Sequence, residues 1–186
     1  MTSEPLYLRT ERLDIIAATV DHLRAELESP ERFAEMLGAV VPASWPPGEY
    51  DRAAQEFFLD RLLQAGPAGV GWFGWYAVRR ATDGSPPTLV AGGGYFGPPG
   101  EEGTVEIGYS SVPEWTGQGY ATELAGALVG RAAAMPEVRR IIAHTDQANA
   151  ASIRVLTRCG FVEVGAGAEP GSLRFEWVRQ GGINSS

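Results

Sequence analysis

Apolar residues recur at helical spacing in some stretches of this chain and at alternate positions in others, and the changes of period mark its elements. Two short apolar runs, Leu6-Tyr7-Leu8 and Leu13-Asp14-Ile15-Ile16, flank the charged turn Arg9-Thr10-Glu11-Arg12 and predict an opening strand pair or one bent strand. Thr19 caps a helix over 20–28 with His22 on its surface, and Ser29-Pro30 gives a cap and a first-position proline to a second helix ending near Gly38. Residues 41–50 form a proline-rich loop whose Trp45 either plugs a core edge or lines a pocket. Ala54, Phe57, Phe58, Leu62 and Ala65 then return to helical spacing until Gly66-Pro67 stops them.

Beyond this point the period is strand-like. Segments 71–80 and 88–96 are joined by Asp83-Gly84-Ser85-Pro86, and Gly97-Pro98-Pro99-Gly100 turns the chain into a third strand over 104–112. In that strand Val105, Ile107 and Tyr109 share one face while Glu106, Gly108 and Ser110 share the other. A helix follows over 117–134, where Ala121, Leu124, Ala125, Leu128, Val129 and Ala132 make one unbroken stripe. A strand over 138–145, a helix over 149–159 closed by Gly160, and strands over 161–164 and 173–178 complete the order. Strands, helix, strand, helix, strands make a mixed sheet of class α+β or α/β. Residues 1–180 read as one domain and 181–186 as a polar tail, so Asn184-Ser185-Ser186 is a frayed end and not a glycosylation site.

Composition narrows the chemistry. The 186 residues are 44% hydrophobic and 20% charged, as in a soluble globular protein. A formal charge of -8 disfavours long polyanions, so neither nucleic acid nor an anionic membrane is an expected partner. All fifteen basic residues are arginine, which excludes a phosphate-binding or Schiff-base lysine. Cys159 is the single cysteine, without a partner for a disulfide or a cysteine-rich metal site; it reads as a small buried hydrophobe. The N-terminus lacks the basic start and apolar run of a signal peptide, and no stretch approaches the ~18 apolar residues of a membrane span, so a cytoplasmic location is expected.

Two glycine motifs compete for a ligand. Gly92-Gly93-Gly94-Tyr95-Phe96-Gly97 fits a dinucleotide fingerprint, but Pro98-Pro99-Gly100 forces a turn where a helix N-terminus is needed, so the glycines serve close packing. Trp115-Thr116-Gly117-Gln118-Gly119-Tyr120-Ala121 instead joins a strand to the best helix of the chain. There the free N–H groups of the first turn can hold a pyrophosphate without any lysine. Pro113 cannot extend a strand ladder, so the third strand is expected to part from its neighbour at this residue and expose main-chain groups to an extended, amide-bearing ligand.

The run Glu106-Ile107-Gly108-Tyr109, followed by residues 112–123, resembles the acetyl-CoA motif of the GCN5-related N-acetyltransferases (GNAT). Asn149-Ala150-Ala151-Ser152 and Leu156-Thr157-Arg158-Cys159-Gly160-Phe161 are similar to its second signature, and Leu8-Arg9-Thr10-Glu11-Arg12-Leu13 resembles the start of the branch that acetylates ribosomal-protein N-termini. The resemblance implies an α+β fold, with a mixed, mostly antiparallel sheet of six or seven strands splayed in the middle, flanking helices, and acetyl-CoA in the split. It implies that Val112 supplies main-chain hydrogen bonds to the pantetheine and that Gly117, Gln118, Gly119, Tyr120, Ala121 and Thr122 wrap the pyrophosphate. Asn149 would hold the pantetheine arm, with Ser152 near the thioester. Where the family's loop begins with arginine or glutamine this chain has Thr116, and where many relatives carry a proton-donating tyrosine it has Leu156.

An acetyl-CoA-dependent N-acetyltransferase acting on a primary amine, either a protein N-terminus or a small molecule, is therefore expected. The alternative is an acyl-CoA-binding sensor without catalysis. Glu106 is the candidate base, taking the ammonium proton directly or through water, and Ser152 the candidate acid. Trp45, Trp72, Trp75 and Tyr95, with Tyr76, are aromatic candidates for the acceptor cleft. No metal is expected: His144-Thr145-Asp146 reads as a strand end beside a turn. The resembling branch implies a homodimer.

Overall fold

The computed structural model describes residues 6–179; the expected polar tail lies outside them. The opening runs form two strands, β1 (Tyr7–Arg9) and β2 (Leu13–Ala17), rather than one bent strand. Helices α1 (Val20–Glu28), α2 (Pro30–Leu37) and α3 (Arg52–Ala65) follow. Strands β3 (Gly74–Arg79), β4 (Thr88–Tyr95) and β5 (Thr104–Ser111) come next, then α4 (Tyr120–Ala133), β6 (Arg140–Asp146), α5 (Ala150–Arg158), β7 (Val162–Ala166) and β8 (Ser172–Val178). All eight strands join one sheet in the order β1-β2-β3-β4-β5-β6-β8-β7. The strand count exceeds the expected six or seven because the N-terminal pair counts twice. Only β5 and β6 run parallel; every other neighbouring pair is antiparallel.

Both faces of the sheet are covered over β3 and β4, whereas β7 is exposed along its length. The α4 stripe, with Leu124, Ala125, Leu128 and Ala132 all fully buried, packs on Leu13, Ile15, Trp75, Tyr95, Val105 and Ile107. Each buried leucine there contributes roughly 1.5–3 kcal/mol. On the other face Leu23, Phe33, Phe58 and Leu62 from α1, α2 and α3 pack on Phe73, Tyr76, Val78 and Leu89. A sheet covered on both sides explains why all six residues of β3 are buried and its polar alternation vanishes.

Three helical positions depart from the simple stripe. His22 is buried, not on the surface: it is the third residue of α1, its Nδ1 lies 2.8 Å from the Thr19 hydroxyl, and its ring packs near Tyr76. In α3, Phe57 is exposed while the polar Gln55 is buried, because Gln55 donates to the carboxylate of Glu26 at 2.8 Å. The glycines of β4 serve packing, as no helix follows them and the chain turns into β5. At Gly94, φ is 151° and a Cβ would stand 1.9 Å from the Phe73 carbonyl oxygen, so only glycine fits.

The sheet splits between its two halves. β5 pairs with β6 only through Thr104↔Arg140, Val105↔Ile141 and Glu106↔Ile142. From there β5 follows β4 as far as Ala91↔Ser111, while β6 follows β8 to Asp146↔Ser172. The strands therefore part at Glu106, seven residues before Pro113. The two ladders diverge before proline is reached, and Pro113 merely opens a short 3₁₀ turn, Pro113–Trp115.

Candidate functional site

A groove of about 490 Å³ fills this split, bounded by the C-terminal end of β5, the loop into α4, the first turn of α4 and one face of α5. In an antiparallel ladder, main-chain groups of alternate residues point to alternate sides. The Val112 N–H donates to Val90 and the Phe96 N–H to the Glu106 carbonyl, so even-numbered residues of this strand turn toward β4. Tyr109 and Ser111 consequently turn their N–H and C=O groups into the gap, and both line the groove. The expectation for Val112 fails by one residue of register. It is fully buried, its N–H is held by Val90, and its carbonyl accepts from Trp115.

The loop into α4 offers an anion free backbone N–H groups without any charged side chain. Gly117 and Gly119 have φ of 76° and 86°, the left-handed region that favours glycine, and nothing lies within 4 Å of a Cβ built on Gly117. Gly119 occupies the N-cap position and has no side chain to cap the helix. The first-turn N–H groups of Tyr120, Ala121 and Thr122, which lack intrahelical acceptors, thus begin at the groove wall with the positive end of the helix dipole. Gln118 is not in the lining; its carbonyl accepts from the Arg12 guanidinium at 2.9 Å. The Thr116 hydroxyl folds back onto the Pro113 carbonyl.

That loop is pinned from the N-terminal strand turn. Glu123 accepts from the Thr10 hydroxyl (2.5 Å), the Arg12 N–H (2.7 Å) and the Arg12 guanidinium (2.8 Å), and the guanidinium also stacks on the Tyr120 ring. Burial alone would raise the Glu123 carboxyl pKa, but these donors prevail and hold it below its ordinary value. The opening Thr10-Glu11-Arg12 run thereby acts on a loop more than a hundred residues away.

From α5 come Asn149, Ser152, Arg154 and Arg158. The Asn149 side-chain oxygen caps the helix at the Ser152 N–H, which leaves the amide NH₂ as the group able to donate into the groove. Arg154 and Arg158 bring positive charge to the lining, which the motif reading missed; their i, i+4 spacing on a predicted helix was the available signal. Leu156 is buried in the core and does not line the groove. A hydroxyl is supplied instead by Tyr109, whose OH lies 3.0 Å from Ser152 Oγ. Burial pushes the Tyr109 pKa up to about 12 against the lowering effect of that hydrogen bond.

A second cavity, about 250 Å³, meets the groove at Tyr109 and Ser110 and lies on the face of the sheet carrying α1, α2 and α3. Its lining includes Tyr50, Phe58 and Phe96, with Gly92, Gly94 and Gly108 on the strands beneath. The aromatic set expected for an acceptor cleft is largely elsewhere. Trp75 and Tyr95 are fully buried on the α4 side, donating to the Gly71 and Leu128 carbonyls, and Trp72 joins them under the Arg131 guanidinium. Strand parity decides this: in β3, Trp75 points to α4 while Tyr76 points to α1, α2 and α3. Trp45 does stand beside the cavity, its ring tip 2.8 Å from a Cβ built on Gly92.

Glu106 lines neither space. Its carboxylate is partly exposed at the point where β5 and β6 part, with Oε1 2.9 Å from His144 Nδ1. His144 thus pairs with Glu106, and Asp146 instead accepts from the Ala148 N–H in the following turn. Among the described residues no three His, Cys, Asp or Glu side chains gather as a metal site. Cys159 is partly buried, its thiol 3.6 Å from the Thr122 carbonyl and its pKa raised by burial.

Residues 12–162 match a family profile described as an acetyltransferase (GNAT) domain. An uncharacterized N-acetyltransferase of Bacillus subtilis, YjdG, is 26% identical over 155 residues, covering 83% of this chain and 89% of its own. Among solved structures, a ribosomal-protein-S5-alanine acetyltransferase from Vibrio fischeri superposes with a TM-score of 0.64 at 16% identity, covering 93% of this chain and 96% of that one. An aminoglycoside acetyltransferase solved with coenzyme A gives 0.55 at 21% identity, covering 89% and 94%.

Proposed function

The chain belongs to the GNAT acetyltransferase family, and on that premise we propose how its own residues carry out N-acetyl transfer. Acetyl-CoA is the donor substrate and a primary amine the acceptor. The observation that supports the assignment of roles is the meeting of two cavities at Tyr109 and Ser110, one bordered by a backbone anion site and the other by aromatic walls.

In this reading the pyrophosphate lies on the first turn of α4, with Gly117 and Gly119 giving it room and Arg154 and Arg158 adding charge. The pantetheine adds to the open edge of β5 through the main chain of Tyr109 and Ser111, with the Asn149 amide facing it across the split. The thioester then sits beside Ser152 and the acceptor enters from the second cavity. The amine nitrogen attacks the thioester carbonyl carbon directly, a C–N bond forms, the C–S bond breaks, and coenzyme A leaves as thiolate. Holding both substrates in one split is worth up to roughly 7–11 kcal/mol of barrier when alignment is good.

Two proton movements complete the step. Glu106, steadied by His144, takes the ammonium proton through water; it lies on the same strand face as Gly108, two residues or about 7 Å along β5. Ser152, hydrogen-bonded to Tyr109, gives a proton to the thiolate and recovers one from the nitrogen as the amide forms, so that Tyr109 stays protonated, as its pKa of about 12 requires.

The test is to follow coenzyme A release with acetyl-CoA and an amine panel, together with cofactor binding by calorimetry. Bound acetyl-CoA with no turnover above solvent across the panel would leave only the sensor reading. A cytoplasmic location is checked by cell fractionation; among the described residues no helix is long and apolar enough to cross a membrane. A homodimer is checked by light scattering, and the exposed Val162 and Val164 of edge strand β7 give a second copy a surface to meet.

A further inference from the structure

Resting on the acetyl-transfer reading, we infer that the second cavity selects a compact amine with one flat apolar body, of arylalkylamine size, over polycations and peptide N-termini. The floor carries the first argument. Gly92 pairs with Ser110 and Gly94 with Gly108 across β4 and β5, so this patch of sheet presents almost no side chains and is flat. The glycines are required by packing as well, since a Cβ on Gly108 would press on the Phe96 ring at 3.1 Å.

The walls carry the second. Tyr50, Phe58 and Phe96 surround the floor, and aromatic faces favour stacked or edge-on contact with another ring. Tyr50 is held in place: its hydroxyl donates at 3.0 Å to Glu26, a carboxylate that also accepts from Trp45, Gln55 and Tyr76. Glu26 is thus a positioning residue for this wall and does not reach the cavity itself.

Volume and charge carry the third. At about 250 Å³ the cavity lies just below the ~300–1,000 Å³ usual for ligand pockets, a size that suits a phenylethyl group better than an aminoglycoside ring system. Among the described residues Glu49 is the only carboxylate in the lining. A single ammonium finds one counter-charge there, whereas additional ammonium groups would lose hydration without a partner. An extended peptide would leave its amides against aromatic walls that offer few acceptors.

The experiment measures coenzyme A release at saturating acetyl-CoA with 2-phenylethylamine, ethylamine, spermidine, an aminoglycoside and a short peptide with a free N-terminus. The expected result is a kcat/KM for 2-phenylethylamine at least about tenfold above each of the others, the scale on which apolar pockets discriminate. Ala54→Trp, on the half-exposed start of α3 where it lines the cavity, should cut that value at least about tenfold while the acetyl-CoA KM and the melting temperature hold. Spermidine, the aminoglycoside or the peptide matching or exceeding the arylalkylamine overturns the inference and leaves N-acetyl transfer standing, as does an Ala54→Trp variant of unchanged selectivity. Acetyl-CoA bound without release for any amine overturns the proposed function and this inference together.

Discussion

Replacing Glu26 tests the link between a buried charge and the proposed acceptor wall. One carboxylate oxygen accepts from Trp45 Nε1 and Gln55 Nε2, both at 2.8 Å, and the other from the hydroxyls of Tyr50 at 3.0 Å and Tyr76 at 2.6 Å. Glu26→Ala orphans four donors. Gln55 and Tyr76 are 4% and 1% exposed and cannot turn to water, at about 1–3 kcal/mol each, while the half-buried Trp45 and Tyr50 can relax. Against this, the variant no longer buries a charge, so a net loss of about 3 kcal/mol is expected, a fall of roughly 6–12 °C in Tm. Glu26→Gln should cost about 1 kcal/mol or less, because its carbonyl can face Trp45 and Gln55 while its NH₂ donates to two tyrosine hydroxyls that can turn and accept.

Acidity sharpens the contrast. Burial raises the Glu26 pKa above the ordinary 4.5, and the four hydrogen bonds only partly offset it. A carboxyl with a raised folded-state pKa favours the fold most below its unfolded value, and this contribution is lost as pH rises through the folded one. The Glu26→Gln variant lacks that titration and should gain on the wild type as pH rises from 4 to 7. Urea melts at several pH values read the stability, and amine KM with acetyl-CoA KM reads the wall. A loss under about 1 kcal/mol for Glu26→Ala with an unchanged amine KM refutes the reasoning; a fallen Tm with an unchanged amine KM reduces Glu26 to a stability role.

Other residues give separate readouts. Glu106→Gln should lower kcat about 10²–10⁴-fold at neutral pH with acetyl-CoA affinity unchanged, measured by steady-state rates and calorimetry; full activity would remove Glu106 as the base. Arg12→Ala should raise the acetyl-CoA KM roughly tenfold by freeing Gln118 and Glu123, with little change in amine KM. Because the depressed Glu123 pKa contributes stability that is lost as pH falls below about 4.5 toward its folded value, the stability gap between Arg12→Ala and wild type should close on acidification. Cys159 should react slowly with a thiol reagent in the native protein and stoichiometrically in urea, since burial disfavours its thiolate.

Local pattern carried much of the fold. The α4 stripe, the Thr19 cap and the alternation of β5 are properties of neighbouring residues, and they recur in the structure within a few positions. The anion loop was legible for the same reason: two glycines, a helix start and the absence of lysine lie within one short segment. Positions of the split and of the aromatic wall of the second cavity were not legible, because they depend on which strand lies beside which. The main-chain groups facing the split come from Tyr109 and Ser111 instead of Val112 through ladder parity against β4, and Trp75 and Tyr95 turn to α4 through the order of β3 and β4 in the sheet.

The sequence by itself determined a lysine-free chain with free N–H groups at a glycine-flanked helix start, the proposed anion site, since such groups need no distant partner. Only the tertiary structure decided what serves that site. It joined Arg12 to Glu123, Glu106 to His144, Tyr109 to Ser152, and Glu26 to three aromatic side chains and Gln55. Each pairing crosses separate elements and depends on the packing that brings those elements together.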